Sequence, residues 1–81
     1  VVLICKNAIA GVFLDRYGTD LMMIPVDKEH FKVKVLVSVS PQFFGWITGL
    51  GDMVKITGPE NVVEEYRNYL EKIINKYSEE T

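Results

Sequence analysis

The stretch from Gln42 to Pro59 constrains the fold of this chain more than any other. It begins as an apolar helix that carries the only tryptophan, Trp46, and a group of glycines ends that helix. A short apolar strand then leads to Gly58 and Pro59, and a proline at such a point is typical of a helix start. A helix, a strand and the beginning of a second helix within so few residues predict a small α+β domain. The stretch contains no catalytic motif.

Four patterns in all predict β-strands. The opening run Val1–Cys5 is apolar on both sides, as in a strand at the middle of a sheet. Leu21–Val26 is also apolar, but its Pro25 lacks an amide donor, which favours an edge position. Phe31–Ser38 alternates most clearly and predicts a strand with one buried face, and Met53–Ile56 predicts a short fourth strand.

Three helices are expected between and after these strands. Asn7 is a suitable N-cap for a first helix that ends at Gly18. Ser40 is the expected cap of a second helix, Pro41–Thr48, with proline at its first position. The last helix is the longest, and glutamates near its start and lysines near its end suit the helix dipole. Its apolar stripe contains Val62, Val63, Tyr66, Tyr69, Leu70, Ile73, Ile74 and Tyr77.

The order of elements is βαββαβ followed by a helix, which predicts the ferredoxin-like plan. In that plan a four-stranded antiparallel sheet carries both crossover helices on one face. We predict one α+β domain over residues 1–81. The chain opens inside an apolar run without an initiator methionine, so we expect it to be a piece of a longer protein.

The second face of the predicted sheet combines charge and apolar surface. Alternation places Lys32, Lys34, Leu36, Met53 and Lys55 on the side opposite the buried valines. An apolar patch ringed by lysines usually marks contact with another surface. The alternative is that the long last helix folds back and covers this face. Lys32, Lys34, Lys55 and Met53 are therefore candidate contact residues for a partner or ligand.

Charge and cysteine content exclude several classes of protein. The net charge is −2 and the pI is near 5.3, which argues against an electrostatic nucleic-acid anchor. The single cysteine, Cys5, cannot form an internal disulfide and reads as a small buried hydrophobe. No apolar run approaches the roughly 18 residues that span a membrane. We therefore expect a cytoplasmic protein with no membrane contact.

No pattern of catalytic or metal-binding residues is present, so we predict a chain that is not an enzyme and needs no cofactor. His30 lies at the end of a predicted turn, Asp27–His30, without a second histidine to complete a metal site. The carboxylates show no pairing of the kind that general acid and base catalysis requires. We therefore predict no catalytic residues and no metal-binding residues.

Arg16 is the one charged residue on the apolar side of the first helix. Its structural role would be to cover the core with its methylenes and to pair with Asp15 or Asp20. Its functional role would be to anchor an anionic ligand or a neighbouring domain. Both interpretations stay open from sequence.

Aromatic residues of the second helix are expected mainly in the core. Phe43, Phe44 and Trp46 cannot all face one side of a helix, so at least one should reach the surface. Trp46 itself is predicted to be a core residue.

One stretch runs from Phe44 to Ile56 and continues through Gly58-Pro59 into a helix that ends near a tyrosine. This stretch resembles the C-terminal extension of bacterial transcription regulators that carry a WYL domain. The extension is called the WCX domain. The upstream segments fit the same pattern. The matching residues are Trp46, Gly51, Val54 with Ile56, Pro59, Tyr77, the strand Val1–Cys5, the run Arg16-Tyr17-Gly18 and the strand Phe31–Val37.

The resemblance implies a regulatory and oligomerisation module. Proteins of this kind have an N-terminal helix-turn-helix that binds DNA and a central WYL domain, and both would lie outside this sequence. For this part the resemblance implies a homodimer or contact with the WYL domain, and a share in sensing a small-molecule or nucleic-acid effector. Trp46, Gly51, Pro59 and Tyr77 would be structural residues of the motif.

Other functions share the predicted topology. A small-molecule sensing domain, for an amino acid or nucleotide metabolite, remains the main alternative, although Lys6, Asn7 and Ala8 replace the glycine turn common after its first strand. An acylphosphatase-type enzyme would need an arginine and a phosphate cradle at the same place. Single-stranded nucleic acid could bind across the sheet through Lys32, Lys34 and Lys55, but stacking aromatics are not predicted there.

Overall fold

The structure, a computed structural model, describes residues 1–78. Its elements follow the predicted order. The strands are β1 (Val2–Lys6), β2 (Met23–Pro25), β3 (His30–Lys34) and β4 (Val54–Gly58). The helices are α1 (Ala10–Tyr17), α2 (Pro41–Gly49) and α3 (Glu60–Ser78), and two short 3-10 turns cover Asn7–Ile9 and Gly51–Met53.

The four strands form one antiparallel sheet in the order β2-β3-β1-β4, which is the ferredoxin-like arrangement. The predicted central position of β1 is confirmed, because it pairs with both β3 and β4. The predicted edge position of the proline-containing β2 is confirmed as well. A long helix, α3, follows the sheet, so the predicted α+β class is correct.

Two strands are shorter than the sequence pattern predicts. The strand expected over residues 21–26 is reduced to the three residues of β2. β3 ends at Lys34 instead of Ser38, although Val35 still exchanges backbone hydrogen bonds with Val1 at 2.9 and 3.0 Å. Residues 36–39 pair with no strand of the described chain, residues 1–78, and Leu36 is fully exposed.

The predicted cap of the first helix is wrong. Asn7 begins the 3-10 turn, and its side-chain amide donates a hydrogen bond to the Lys28 carbonyl at 3.0 Å instead of capping. This bond and the Asn7 N–H to the Glu29 carbonyl, at 2.8 Å, tie the end of β1 to the β2–β3 hairpin. The predicted end is confirmed, since Gly18 follows α1 with φ of 91°, a value that favours glycine.

The second and third helices begin close to the predicted points. The Ser40 hydroxyl accepts a hydrogen bond from the Phe43 N–H at 3.3 Å, and Pro41 opens α2 as predicted. Gly51 has φ of 67°, so the turn after α2 requires the conformational freedom of glycine there. α3 begins at Glu60, one residue after the predicted proline, and the Pro59 carbonyl accepts from the next turn of the helix.

The core lies between one face of the sheet and the helices. Its fully buried side chains include Leu3, Cys5 and Val33 from the sheet, Phe13 from α1 and Ile47 from α2. Burial alternates along β3 and β4 as the sequence predicts, and it also alternates along β1, which is apolar on both sides. Among the helices of residues 1–78, none has the length and apolar character needed to cross a bilayer.

A chain of aromatic contacts connects the layers. Phe31 of the sheet meets Phe13 of α1, whose ring lies 5.4 Å from that of Trp46 on α2. Phe44 of α2 then contacts Tyr66 of α3, with ring centroids 5.2 Å apart. Such pairs add roughly 0.5–1.5 kcal/mol each to the effect of burial. Eight of the nine aromatic residues join this chain: Phe13, Tyr17, Phe31, Phe43, Phe44, Trp46, Tyr66 and Tyr69.

Candidate functional site

The face of the sheet opposite the helices forms a candidate contact surface, here called the open face. By strand register, a row of side chains crosses all four strands as Ile24, Lys32, Ile4 and Lys55. Ile24 is 47% exposed and the two lysines are exposed, whereas Ile4 at the centre is partly buried. The neighbouring positions of the same face are Val2, Lys6, His30 and Lys34.

The charged side chains that the strands contribute to the open face are all positive. No strand contains an acidic residue, and the strands carry four lysines, at positions 6, 32, 34 and 55. Within residues 1–78 the only ion pairs within 4 Å are His30 with Asp27 and Arg67 with Glu64, so these lysines have no carboxylate partner there. A protein with a net charge of −2 therefore presents a local cationic surface with an aliphatic centre.

The last helix does not cover the open face. Tyr66 and Tyr69 of α3 pack against Phe44 of α2, which is on the helical side of the molecule. The Tyr66 hydroxyl also lies 3.0 Å from the Thr48 hydroxyl, and the Tyr69 hydroxyl approaches Gly45. Within residues 1–78, the sequence interpretation in which the last helix folds over the second face is therefore wrong.

Only the first half of α3 is packed. Val62 is buried and Tyr66 is partly buried, whereas Ile73, Ile74 and Tyr77 are 40%, 63% and 85% exposed. The described chain is elongated, with extents of 47 × 25 × 22 Å. The apolar stripe predicted to be continuous thus divides into a packed part and an exposed part, here called the α3 stripe end and made of Ile73, Ile74 and Tyr77.

The candidate contact residues predicted from sequence separate into three places. Lys32, Lys34 and Lys55 lie together on the open face, as alternation predicts. Met53 does not join them, because it belongs to the 3-10 turn before β4 and packs against the core. Arg16 lies on α1, on the helical side of the sheet.

Sequence reasoning did not name several members of the open face, among them Lys6 and Ile24. Lys6 is the last residue of β1, and the alternation of Val2, Ile4 and Lys6 could have found it, but the strand was expected to end at Cys5. Ile24 was assigned to an apolar strand but to neither face of the sheet, because a run that is apolar at every position shows no alternation.

A second candidate site is a cleft beside α1, here called the Arg16 cleft. The Arg16 guanidinium carbon lies 4.3 Å from the centre of the Trp46 ring, a cation–π geometry. The expected pairing with Asp15 or Asp20 is wrong, because no carboxylate within residues 1–78 lies within 4 Å of Arg16. The cleft has a volume of about 380 Å³ and is lined by Arg16, Tyr17, Val37, Ser38, Ser40, Gln42 and Phe43.

Trp46 is partly buried and packs against the core, while Phe43 and Phe44 are 5% and 6% exposed. Of these three aromatic residues of α2, Trp46 is therefore the one that reaches the surface, and Arg16 lies over it.

Two further titratable residues, Cys5 and His30, have structural explanations. Burial raises the pKa of the Cys5 thiol to about 12, which keeps it protonated and confirms its interpretation as a small buried hydrophobe. His30 is the first residue of β3 and hydrogen-bonds the Asp27 carboxylate at 2.9 Å. Within residues 1–78, no three histidine, cysteine or acidic side chains cluster where a metal ion could bind.

Comparison with known proteins found no matching family model, no similar curated protein and no similar solved structure. The resemblance to the WCX domain of WYL-type regulators therefore stays a prediction from sequence.

Proposed function

We propose that this chain is a regulatory and oligomerisation module of a WYL-type transcription regulator, and that its open face docks onto an acidic surface of the neighbouring WYL domain. The observation that carries this proposal is the uncovered row of Ile24, Lys32, Ile4 and Lys55. Apolar surface left exposed on a small domain favours contact with another surface. The lysines around this row favour a partner surface that is negatively charged.

Charge supports a neighbouring domain over a second copy as the occupant of the open face. A symmetric dimer through this face would place the same patch of four lysines against itself. Like charges brought together in an interface oppose association. A partner with carboxylates around an apolar centre would satisfy the lysines and would bury Ile4 and Ile24 at the same time.

The composition of the open face also favours protein over nucleic acid. Eight of the nine aromatic residues belong to the aromatic contact chain, and the ninth, Tyr77, is on α3. The open face therefore offers no phenylalanine, tyrosine or tryptophan ring on which a base could stack. Lysines alone would give only a contact with phosphates that weakens as salt rises.

The α3 stripe end supports the oligomerisation part of the proposal. Ile73, Ile74 and Tyr77 are exposed on a helix that has already used its first half to contact α2. Two copies can bury these side chains against each other in a symmetric helix pair. This contact would leave the open face available for the neighbouring domain.

Lysine footprinting tests the docking surface. The isolated chain and the parent protein are acetylated under identical conditions, and each lysine is quantified by mass spectrometry. We expect Lys32, Lys34 and Lys55 to react several-fold more slowly in the parent protein, whereas Lys28 of the hairpin and Lys72 of α3 react equally in both. Equal reactivity of the three open-face lysines in both proteins would contradict docking at this surface. Protection that appears only when an oligonucleotide is added would identify nucleic acid as the occupant.

Sedimentation at rising concentration tests the oligomer. We expect the isolated chain to associate, the Ile74→Asp variant to associate at least about tenfold more weakly, and the Lys32→Glu variant to associate as the original chain does. Ile74 is 63% exposed, so its replacement leaves the packed core intact. A chain that stays monomeric at every concentration would refute the oligomerisation part.

The coding sequence next to this chain tests the family assignment. A helix-turn-helix followed by a WYL domain upstream is the expected arrangement, and a parent protein without a WYL domain would refute the WYL part of the proposal.

Small-molecule sensing in another kind of regulator is the second candidate function. The Arg16 cleft favours it, because the cleft combines hydroxyl and amide groups with an arginine that has no carboxylate of residues 1–78 within 4 Å.

A further inference from the structure

We propose that the Arg16 cleft binds a small carboxylate with an apolar body. This inference deepens the second candidate function, small-molecule sensing, and rests on it. The cleft is formed on the helical side of the sheet, so its occupation is separate from docking at the open face.

The arginine is held in place with its hydrogen-bonding groups available. Its guanidinium carbon lies 4.3 Å from the centre of the Trp46 ring, and Trp46 is itself fixed by contacts with Phe13 and Tyr17. Within residues 1–78 the Arg16 guanidinium donates no hydrogen bond, so its N–H groups are available to the two oxygens of a carboxylate. No carboxylate of residues 1–78 lies within 4 Å to use them.

The polar lining offers further donors close to the arginine. The Ser40 hydroxyl oxygen accepts the hydrogen bond from the Phe43 N–H, which leaves the hydroxyl hydrogen free to donate. The Ser38 hydroxyl and the Gln42 side-chain amide also line the cleft. A ligand oxygen can therefore be bound by Arg16 and by neutral donors, with no acidic side chain in the lining to repel it.

The apolar lining and the single charge define the class of ligand. Val37, Phe43 and the ring of Tyr17 provide an apolar wall next to the polar groups. One cation matches the single charge of a carboxylate, whereas a phosphate group usually binds several donors of positive charge. A volume of about 380 Å³ suits a small molecule. A monocarboxylate with an aliphatic or aromatic body fits these features best.

Trp46 provides a direct readout, because it is the only tryptophan and contacts Arg16. Propionate, isovalerate and 3-phenylpropionate are titrated into the isolated chain at constant ionic strength, with fluorescence excited at 295 nm. A second readout follows the indole N–H of Trp46 and the backbone amide of Gln42 by NMR. We expect saturable changes in both signals, strongest for 3-phenylpropionate, and none with the uncharged 3-phenylpropionamide.

Matched variants separate a built site from general charge attraction. We expect Arg16→Gln to weaken binding of 3-phenylpropionate at least about tenfold and Gln42→Ala to weaken it less. Arg67→Gln should leave it unchanged, because Arg67 is an exposed arginine on α3 that pairs with Glu64. Both cleft variants replace exposed side chains, and circular dichroism verifies that they fold.

Three outcomes would overturn the inference: no saturable change with any of the three carboxylates, equal weakening by Arg67→Gln, or tighter binding of inorganic phosphate than of 3-phenylpropionate. The lysine footprint and the sedimentation experiments are unaffected by these outcomes, so a failure of this inference is distinguishable from a failure of the proposed docking.

Discussion

The two faces of the sheet are built from the same strands but differ in burial. On the covered face, Leu3, Cys5 and Val33 are almost completely buried beneath α1 and α2. On the open face, Ile4 lies between Lys32 and Lys55 with no described element above it. One residue along β1 therefore separates a position that holds the fold together from one that is available for contact.

The packing that stabilises this small domain lies on the covered side of the sheet. The chain of aromatic contacts begins at the covered face and continues through all three helices. Because the open face contributes little to that packing, its charges can be replaced with little effect on folding. Exposed substitutions usually change stability by no more than about 0.5 kcal/mol.

Thiol labelling gives the largest expected difference between the faces. Burial raises the pKa of Cys5 from 9.0 to about 12, which lowers its thiolate fraction about a thousandfold at pH 8. In the Cys5→Ala background, a Lys32→Cys thiol on the open face should react with a disulfide reagent at the rate of a free thiol. Cys5 should react at least about a thousandfold more slowly. Comparable rates for the two thiols in the folded protein would contradict the comparison.

The raised pKa of Cys5 also predicts how the stability of the fold changes with pH. Folding favours the protonated thiol, so its stabilising contribution is complete below the ordinary value of 9.0 and is lost as pH rises towards 12. The Cys5→Ala variant should therefore lose less stability than the original chain when the pH rises from 9 to 11, as measured by urea unfolding.

Neighbouring residues of β1 provide the next test. Leu3→Ala removes a fully buried side chain and should lower the free energy of unfolding by about 2–5 kcal/mol. Ile4→Ala removes a partly buried side chain on the open face and should lower it by less than about 1.5 kcal/mol. Urea unfolding measures both free energies, provided that the dependence of the free energy of unfolding on urea concentration is the same in each variant. Equal losses would mean that the open face is also part of the core.

A smaller effect is expected from the contact between α2 and α3. The Thr48 hydroxyl donates to the Phe44 carbonyl at 2.8 Å, so the Tyr66 hydroxyl must donate to the Thr48 oxygen. Tyr66→Phe removes only this bond and should cost about 0.5–1.5 kcal/mol. Tyr77→Phe on the exposed end of α3 is the matched control and should be neutral. A neutral Tyr66→Phe would show that the hydroxyl contact adds nothing to the packing of the rings.

The smallest effect is expected at the β2–β3 hairpin. The hydrogen bond with His30 lowers the pKa of Asp27 below its ordinary value of 3.8, and the Glu29 N–H adds to this shift. The ionised form of Asp27 therefore stabilises the fold above pH 3.8, and this contribution disappears as pH falls through the lowered pKa.

Thermal unfolding between pH 6 and pH 2 measures this contribution. The melting temperature of Asp27→Asn should be slightly lower than that of the original chain at pH 6, and the two should converge at the acid end. Asp20→Asn is the control, because the Asp20 side chain makes no hydrogen bond or ion pair within residues 1–78. A difference that grows as pH falls would reverse the assigned sign.

Much of the fold could be predicted because its signals are local. Alternation in β3 and the proline of β2 predicted a buried face and an edge, and Ser40 with Pro41 predicted the start of α2. The prediction failed for the Asn7 cap, because Asn7 is used by the distant hairpin. It also failed for Met53, because a 3-10 turn breaks the alternation just before β4.

The candidate sites could be predicted only in part. Lys32, Lys34 and Lys55 were assigned to one face from their spacing alone, and the structure places them there. The position of Arg16 over Trp46 could not be predicted, since the two residues are thirty positions apart and belong to different helices. A contact of this kind depends on how α1 and α2 pack side by side on the sheet.

The sequence by itself determined the order of strands and helices, the buried face of the sheet and the lysines that alternate with it. Periods of two and 3.6 residues report burial within one element, so these features are readable locally. The tertiary structure decided that α3 packs on α2 and leaves the second face of the sheet uncovered. That outcome depends on the contacts of Phe44 with Tyr66 and Tyr69. Phe44 is far from both tyrosines in the chain, so these contacts have no signature in the local pattern.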